Sequence, residues 1–324
     1  MSVSPIDPAA PLPSAENRPA PDYQAILDQI WAEVAPRLGE GKVASYIPQL
    51  ATVPVAQFGM ALYTLDGRLF TTGQAQTRFS AQSVTKLFAL ALAYTREGDA
   101  IWQRLGKEPS GTAFNSLVQL EYERGIPRNP FINAGALVIT DILASRFVDS
   151  EIAVLQFIRQ LCASTAPDFD LKVAQSELQT AHRNYAIAHL IKDFGNLRNT
   201  VSAVVRSYCR QCSITLNCEE LAKAAVFLAN HGTIPWNQQQ ILDHSSAKRI
   251  SAVMLTCGTY DAAGEFAFRV GLPAKSGVGG GIVAVIPGEA AVAVWSPGLD
   301  ASHNSALGTY ALARLTDLTR HSIF

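Results

Sequence analysis

Strand-forming sequence lies at both ends of this chain of 324 residues, with a long helical block between. Near the start, Phe58 to Tyr63 and Arg68 to Thr72 are strand-like runs around Asp66-Gly67, a strong tight-turn signal. Near the end, Phe266 to Val270, Ala274 to Gly277, Gly281 to Ile286 and Ala291 to Trp295 read as strands, with Pro287-Gly288 turning between the last two. From Ser83 to about Met254 the apolar residues recur at helical spacing, as in Leu87-Leu90-Ala91-Tyr94 and Ala136-Ile139-Ile142-Leu143. Tyr23, Ile26, Leu27, Ile30, Trp31, Val34 and Leu38 mark a first helix with Gly39 as its stop, and a final helix is expected from Asn304 to Leu318. The pattern predicts an α+β fold of αβα type: an antiparallel sheet flanked by terminal helices, plus an inserted all-helical lobe. The sheet lobe takes residues 22–82 and 255–324, the helical lobe 83–254, and a site is expected in the cleft between them. Residues 1–21 carry prolines at 5, 8, 11, 13, 19 and 21 and read as a disordered extension.

Composition narrows the function class. With 26 Lys+Arg against 27 Asp+Glu, the formal charge is −1, without the basic footprint of a nucleic-acid binder. No apolar run approaches the roughly 18 residues a membrane helix needs, and no basic segment precedes an apolar one at the N-terminus. These features predict a cytoplasmic protein that engages neither nucleic acid nor membrane. Cys162, Cys209, Cys212, Cys218 and Cys257 are few and irregularly spaced, as in a reduced protein. Cys209-x-x-Cys212 has Cys218 nearby but no fourth Cys or His, so the cysteines are read as small buried hydrophobes and no metal is expected.

The most informative short sequence is Ser83-Val84-Thr85-Lys86, which follows the hairpin and opens a helix. Positions i and i+3 share a helical face, so hydroxyl and amine can meet. A serine needs a neighbour to take its proton, and a lysine becomes that base when burial disfavours its charged form. By itself the pair is also what a capping serine and a surface lysine look like. Lys275-Ser276-Gly277, on a predicted strand and followed by Val278 and glycines 279, 280 and 281, adds weight. S-x-x-K enzymes of the penicillin-recognising superfamily carry a K-T-G or similar triplet on a strand lining the site. A bare strand edge there lets substrate reach backbone N–H groups that hold an oxyanion.

Further polar constellations follow in order. Gly41-Lys42-Val43-Ala44-Ser45-Tyr46-Ile47-Pro48-Gln49-Leu50 precedes the hairpin, and Pro127-Arg128-Asn129-Pro130-Phe131-Ile132-Asn133-Ala134-Gly135-Ala136 opens a helix. Ser176-Glu177 is followed by Arg183-Asn184, Tyr208 precedes Cys209, and Thr256-Cys257-Gly258 precedes Tyr260-Asp261. Together these residues resemble the glutaminase family, serine-dependent glutamine amidohydrolases with a β-lactamase/transpeptidase-like fold. The resemblance covers about residues 23–320 as one catalytic domain.

The resemblance implies Ser83 as nucleophile on the γ-carboxamide and Lys86 as its base. Backbone N–H groups of Ser83 and Val278 would form the oxyanion hole. Tyr208 and Tyr260 would shuttle the proton to the leaving ammonia, in roles the resemblance does not divide. Tyr46, Asn133, Glu177 and Asn184 would bind the α-amino and α-carboxylate groups of L-glutamine: the ammonium needs an anion, which Glu177 supplies, and the carboxylate needs donors, which Asn133, Asn184 and Tyr46 supply. Water would then hydrolyse a γ-glutamyl ester to L-glutamate with no cofactor, in a homodimer or homotetramer. Two rivals share the dyad. One is another S-x-x-K acyl-transfer hydrolase (a β-lactamase, carboxypeptidase or esterase), disfavoured by the lack of an S-D-N triplet and of an export signal. The other is a glutamine sensor without turnover, disfavoured by an intact Ser83 and Lys86.

Overall fold

A computed structural model describes residues 21–111 and 115–324. The Pro-rich extension falls, but for Pro21, outside the described residues. Helix α1 (Tyr23–Val34) is capped by the Asp22 side chain, which accepts from Ala25 N. It ends earlier than the apolar spacing suggests, because Pro36 lacks the N–H that the next turn needs. The expected hairpin forms as β1 (Gly59–Thr64) and β2 (Leu69–Gly73), paired from Gly59↔Gly73 to Tyr63↔Leu69. A two-residue strand β3 (Phe79–Ser80) then leads into α2 (Thr85–Glu97).

The helical block continues with α3 (Leu117–Tyr122), α4 (Asn133–Ala144), α5 (Ser150–Cys162), a short β4 (Asp168–Phe169), α6 (Leu171–Gln179), α7 (His182–Asp193) and α8 (Val201–Cys212). It closes with β5 (Ile214–Leu216), α9 (Cys218–Ala229) and α10 (His244–Cys257). After it come α11 (Ala263–Arg269), β6 (Ala274–Ser276), β7 (Gly281–Ile286), β8 (Ala290–Trp295) and α12 (Ala306–Thr319). Two expectations need correction. Phe266 to Val270 is not a strand but the end of α11: Phe266 is buried, Phe268 is exposed, and no strand partner takes up this segment among the described residues. The helical block is also not purely helical, for β3, β5 and β4 form a small antiparallel sheet, β3-β5-β4.

The main sheet has five strands among the described residues, all antiparallel, in the order β2-β1-β8-β7-β6. Its centre joins the two ends of the chain through β1 and β8, paired from Gly59↔Trp295 to Thr64↔Ala290. Both faces are covered, which is why β7 and β8 are apolar at every position. Met60, Leu62, Ile282, Ala284, Val292 and Val294 face α1 and α12, whereas Ala61, Val283, Val285, Ala291, Ala293 and Trp295 join the core shared with the helical block. Each large aliphatic side chain so buried contributes about 1.5–3 kcal/mol. Helix α9 lies directly on β1 and β8 and is the helical block's main seat on the sheet.

Three contacts fix the regions that later carry chemistry. The segment leading into α4 lies on that helix's first turn: a Cβ on Gly135 would stand 1.9 Å from Asn129 O. The last turn of α10 presses on β6, where a Cβ on Gly258 would stand 1.7 Å from Ala274 O. Asp141 is fully buried on α4, held by Arg104 Nη2 at 2.6 Å and by Asn199 N at 2.7 Å.

Gly135→Ala is therefore expected to destabilise the protein by about 1–3 kcal/mol through overpacking. Gly264→Ala, in α11 with nothing within 4 Å of its added Cβ, is expected to be neutral or to stabilise by up to about 1 kcal/mol. Denaturant titration of both variants checks the contrast.

Candidate active site

Ser83 stands where two turns cross. It occupies the single 3-10 turn Gln82–Val84 that feeds α2, held by Ala81 N on Ile214 O at 2.8 Å and Val84 N on Ala81 O at 3.0 Å. Gln82, just before it, takes a left-handed φ of 49°, which costs a non-glycine residue about 1–3 kcal/mol. Facing this turn is the glycine-rich turn that follows β6. A Cβ on Gly277 would stand 2.6 Å from Ala81 O, and one on Gly279 2.2 Å from Ser80 O. Only glycine permits that approach, and it brings Val278 to the same cavity as Ser83.

Two lysines are buried behind Ser83. Lys86, in the first turn of α2, is 3% exposed, and its Nζ donates to Phe131 O at 3.1 Å and to Asn133 Oδ1 at 2.8 Å. Burial lowers its pKa to about 8, against the opposing pull of Cys212 and Glu177. Among the described residues no hydrogen bond joins Lys86 Nζ to Ser83; the amine is held one helical turn beyond it by these two acceptors. Lys275 is fully buried on β6, donates to Gly258 O at 2.9 Å and to Ser276 O, and lies 4.8 Å from the Tyr260 ring centroid. Burial, reinforced by the charge of Lys86, pushes its pKa well down. Lys275 and the fully buried Ser276 thus support the site wall from behind.

Tyr46, Ser83, Asn133, Glu177, Asn184, Tyr208 and Val278 line one cavity of about 360 Å³. Glu177, on α6, is buried, which raises its carboxyl to about 7 against a hydrogen bond from Gln82 and the charge of Lys86. Asn133 Nδ2, at the start of α4, donates to Asn184 Oδ1 of α7 at 3.0 Å. Burial pushes both Tyr208 and Tyr260 above the ordinary tyrosine range. Their partners differ. Tyr260 lies beside Ser83 and the Val278 backbone, which oppose that rise, whereas Tyr208 Oη donates to Asn133 Oδ1 at 3.4 Å, with Cys212 beside it. Tyr46 is 52% exposed as a residue, yet its phenol is pushed up by burial and by Tyr260 and Glu177 beside it. The loop that carries Tyr46 is anchored by Ala44, Ile47 and Leu50, which cluster with Val278.

Sequence reading alone did not single out Gln82, Cys212 or His303 on this cavity, nor give Arg183 a role there. Gln82 gives no sequence signal, since only its backbone angle and its bonds to Glu177 and to Ser80 Oγ mark it. Cys212 did give one, as it lies four residues after Tyr208 and therefore on the same face of α8. All five cysteines are buried free thiols, as read, but Cys212 also walls the cavity. A larger cavity of about 590 Å³, lined by Trp102, Lys107 and Arg249, contains none of the predicted site residues.

A family model described as Glutaminase matches residues 41–324. A protein of Paraburkholderia phytofirmans named Glutaminase is 62% identical over 94% of this chain and 100% of its own length. A solved structure titled as a probable glutaminase superposes with a TM-score of 0.88 at 36% identity, over 93% of this chain and 97% of that one. The probable glutaminase of Bacillus subtilis, solved in complex with 6-diazo-5-oxo-L-norleucine, superposes with a TM-score of 0.84 at 30% identity, over 95% and 99% of the two chains. The chain therefore belongs to the glutaminase family of amidohydrolases and has that family's β-lactamase-like fold.

Proposed function

We propose that this chain hydrolyses L-glutamine to L-glutamate and ammonia with Ser83 as nucleophile and Lys86 as its base. The observation that carries the reading is the buried amine of Lys86, one helical turn beyond a serine that opens on a cavity where, among the described residues, Glu177 is the one carboxylate. With a pKa of about 8, about a tenth of Lys86 is neutral at pH 7, enough to act as a base. Ser83 Oγ attacks the γ-carboxamide carbon and gives its proton to Lys86. The oxyanion that develops is held by the N–H groups of Ser83 and Val278. Ammonia leaves with a proton, and water, activated by the same base, then splits the γ-glutamyl ester. Tyr260 is the better placed of the two tyrosines to relay the leaving-group proton, because it lies beside Ser83 and Val278. Tyr208 lies on the Asn133 side and serves the substrate and the base.

Substrate recognition divides by charge. The Glu177 carboxylate pairs with the α-ammonium. Asn133, Asn184 and Tyr46 offer hydrogen bonds to the α-carboxylate. The catalytic unit is read as two lobes, residues 22–82 with 255–324 and residues 83–254, meeting at this cavity. Among the described residues no helix is long and apolar enough to cross a membrane. We place the protein in the cytoplasm as a homodimer or homotetramer, on the family's habit and the buried free thiols.

Ammonia release from L-glutamine is expected to fall at least about 1,000-fold in Ser83→Ala and in Lys86→Ala, since nucleophile and base act as a unit. Tyr260→Phe is expected to cost about 100-fold or more in kcat, and more than Tyr208→Phe. Full turnover in Ser83→Ala would remove the serine from its role.

The raised Glu177 carboxyl gives a pH dependence with a definite sign. Above about 7 the group is an anion and pairs with the substrate ammonium; below it the carboxyl is neutral and the pair is lost. KM for glutamine is therefore expected to rise as pH falls through about 7. Glu177→Gln should raise KM by about 10- to 100-fold, the worth of a charge-assisted hydrogen bond, and flatten that dependence. Steady-state kinetics from pH 5.5 to about 9 checks both.

A further inference from the structure

Among the described residues, the hydrogen bonds of Lys86 occupy two directions of its nitrogen and leave a third. A protonated amine donates three times, whereas a neutral amine has two N–H bonds and one lone pair. Two acceptors are built in: Phe131 O at 3.1 Å and Asn133 Oδ1 at 2.8 Å. They take the two N–H bonds of the neutral amine and so fix where its lone pair points.

Both acceptors are rigid. Asn129 Oδ1 accepts from Phe131 N at 2.9 Å and from Ile132 N at 3.1 Å, which locks the segment just before α4. The bare face of Gly135 lets that segment lie against the helix. The Asn133 amide is held at both ends: its Oδ1 accepts from Lys86 Nζ at 2.8 Å and from Tyr208 Oη at 3.4 Å, and its Nδ2 donates to Asn184 Oδ1 at 3.0 Å.

We infer that Asn133 is a positioning residue for the Lys86 base, its Oδ1 orienting the lone pair of the neutral amine toward Ser83, in addition to any contact with substrate. The inference rests on the reading of Ser83 and Lys86 as nucleophile and base. It explains why a neutral amide stands where a carboxylate would make an equally good hydrogen bond. An anion at this position would stabilise the charged amine and hold the proton that the base must lose. The titratable groups that face Lys86 are Glu177 from α6, Tyr208 and Cys212 from α8, and Lys275 from β6. Among these, Glu177 is the one carboxylate, and it already favours the charged amine. A second carboxylate at Asn133 would tip the balance further.

The test is the pH profile of kcat at saturating L-glutamine, for wild type, Asn133→Asp and Asn133→Ala, with folding followed by circular dichroism. A base that must be neutral gives an acid limb, with activity rising as pH rises through its pKa. Asn133→Asp is expected to move that limb about 1–3 pH units upward. Asn133→Ala, which removes the acceptor without adding charge, is expected to lower kcat about 10-fold or more and to leave the limb at or below its wild-type position. A role in substrate binding alone would raise KM and leave kcat and its acid limb where they are, and that result in the folded variants overturns the inference. Should Asn133→Asp not fold, the kcat-against-KM split of Asn133→Ala decides in the same way. Wild-type kcat in Lys86→Ala would instead overturn Lys86 as the base, a separate failure.

Discussion

The chemistry proposed for this protein depends on an amine kept out of water without a carboxylate bound to it. Lys86 is 3% exposed, and its hydrogen bonds go to a backbone carbonyl and a neutral amide. Desolvation thus lowers its pKa to about 8, whereas a buried ion pair would have held the proton in place. A second buried amine, Lys275, also rests on backbone carbonyls, and the two oppose each other's charge. Much of the surrounding structure supplies what such an amine requires: an apolar shell from α2 and α4, and fixed acceptors.

The sheet supplies the other half of the site by placement. β7 and β8 are buried on both faces, so their register against β1 is fixed over six residue pairs on each side of β8. The edge strand β6 is thereby set against the last turn of α10. The turn after β6 then runs past the Ser80–Ser83 backbone at a separation only glycines 277 and 279 permit. A side chain at either position would push Val278 away from Ser83 and open the mouth where an oxyanion is to be held. The stacking of Phe79 on Trp295, with ring centroids 5.3 Å apart, braces the same seam. Trp295 Nε1 donates to Gly279 O at 2.9 Å, tying the core of the sheet to that turn.

Much of this was legible in the sequence for identifiable reasons. The β1–β2 hairpin was, because Asp66-Gly67 is a turn with its own chemistry. The β7–β8 pair was, because an unbroken apolar run beside Pro-Gly has few alternatives. Ser83 and Lys86 could be read together because helical spacing puts i and i+3 on one face. Phe266 to Val270 misled, because two phenylalanines and a valine satisfy strand composition, while the segment is set by long-range packing of Phe266 and Val270 into the core under α1 and α12. The small β3-β5-β4 sheet was illegible because its strands are two or three residues long and meet only through distant pairing, Phe79↔Leu216 for β3–β5 and Asp168↔Thr215 for β4–β5. An S-x-x-K pair also left the chain open to other acyl-transfer enzymes. Membership of the glutaminase family closes that question, and the site geometry alone would not have done so.

In the roles proposed for them, Glu177 and Lys86 make opposite demands on protonation. To hold a substrate ammonium, Glu177 must be charged; to accept the Ser83 proton, Lys86 must be neutral. In the free cavity each favours the charged form of the other. On the proposed reading, glutamine itself relieves the conflict. Its α-ammonium, seated on Glu177, cancels the carboxylate's field at Lys86, so the attraction that kept the amine protonated is lost when the nucleophile is needed. Water also leaves the cavity as substrate enters, which deepens the desolvation of the amine. A group lacking the ammonium, such as a simple primary amide, would fill the acyl position and leave the Glu177 charge uncompensated. Discrimination would then act on the base as well as on affinity, and such a substrate would lose kcat along with KM.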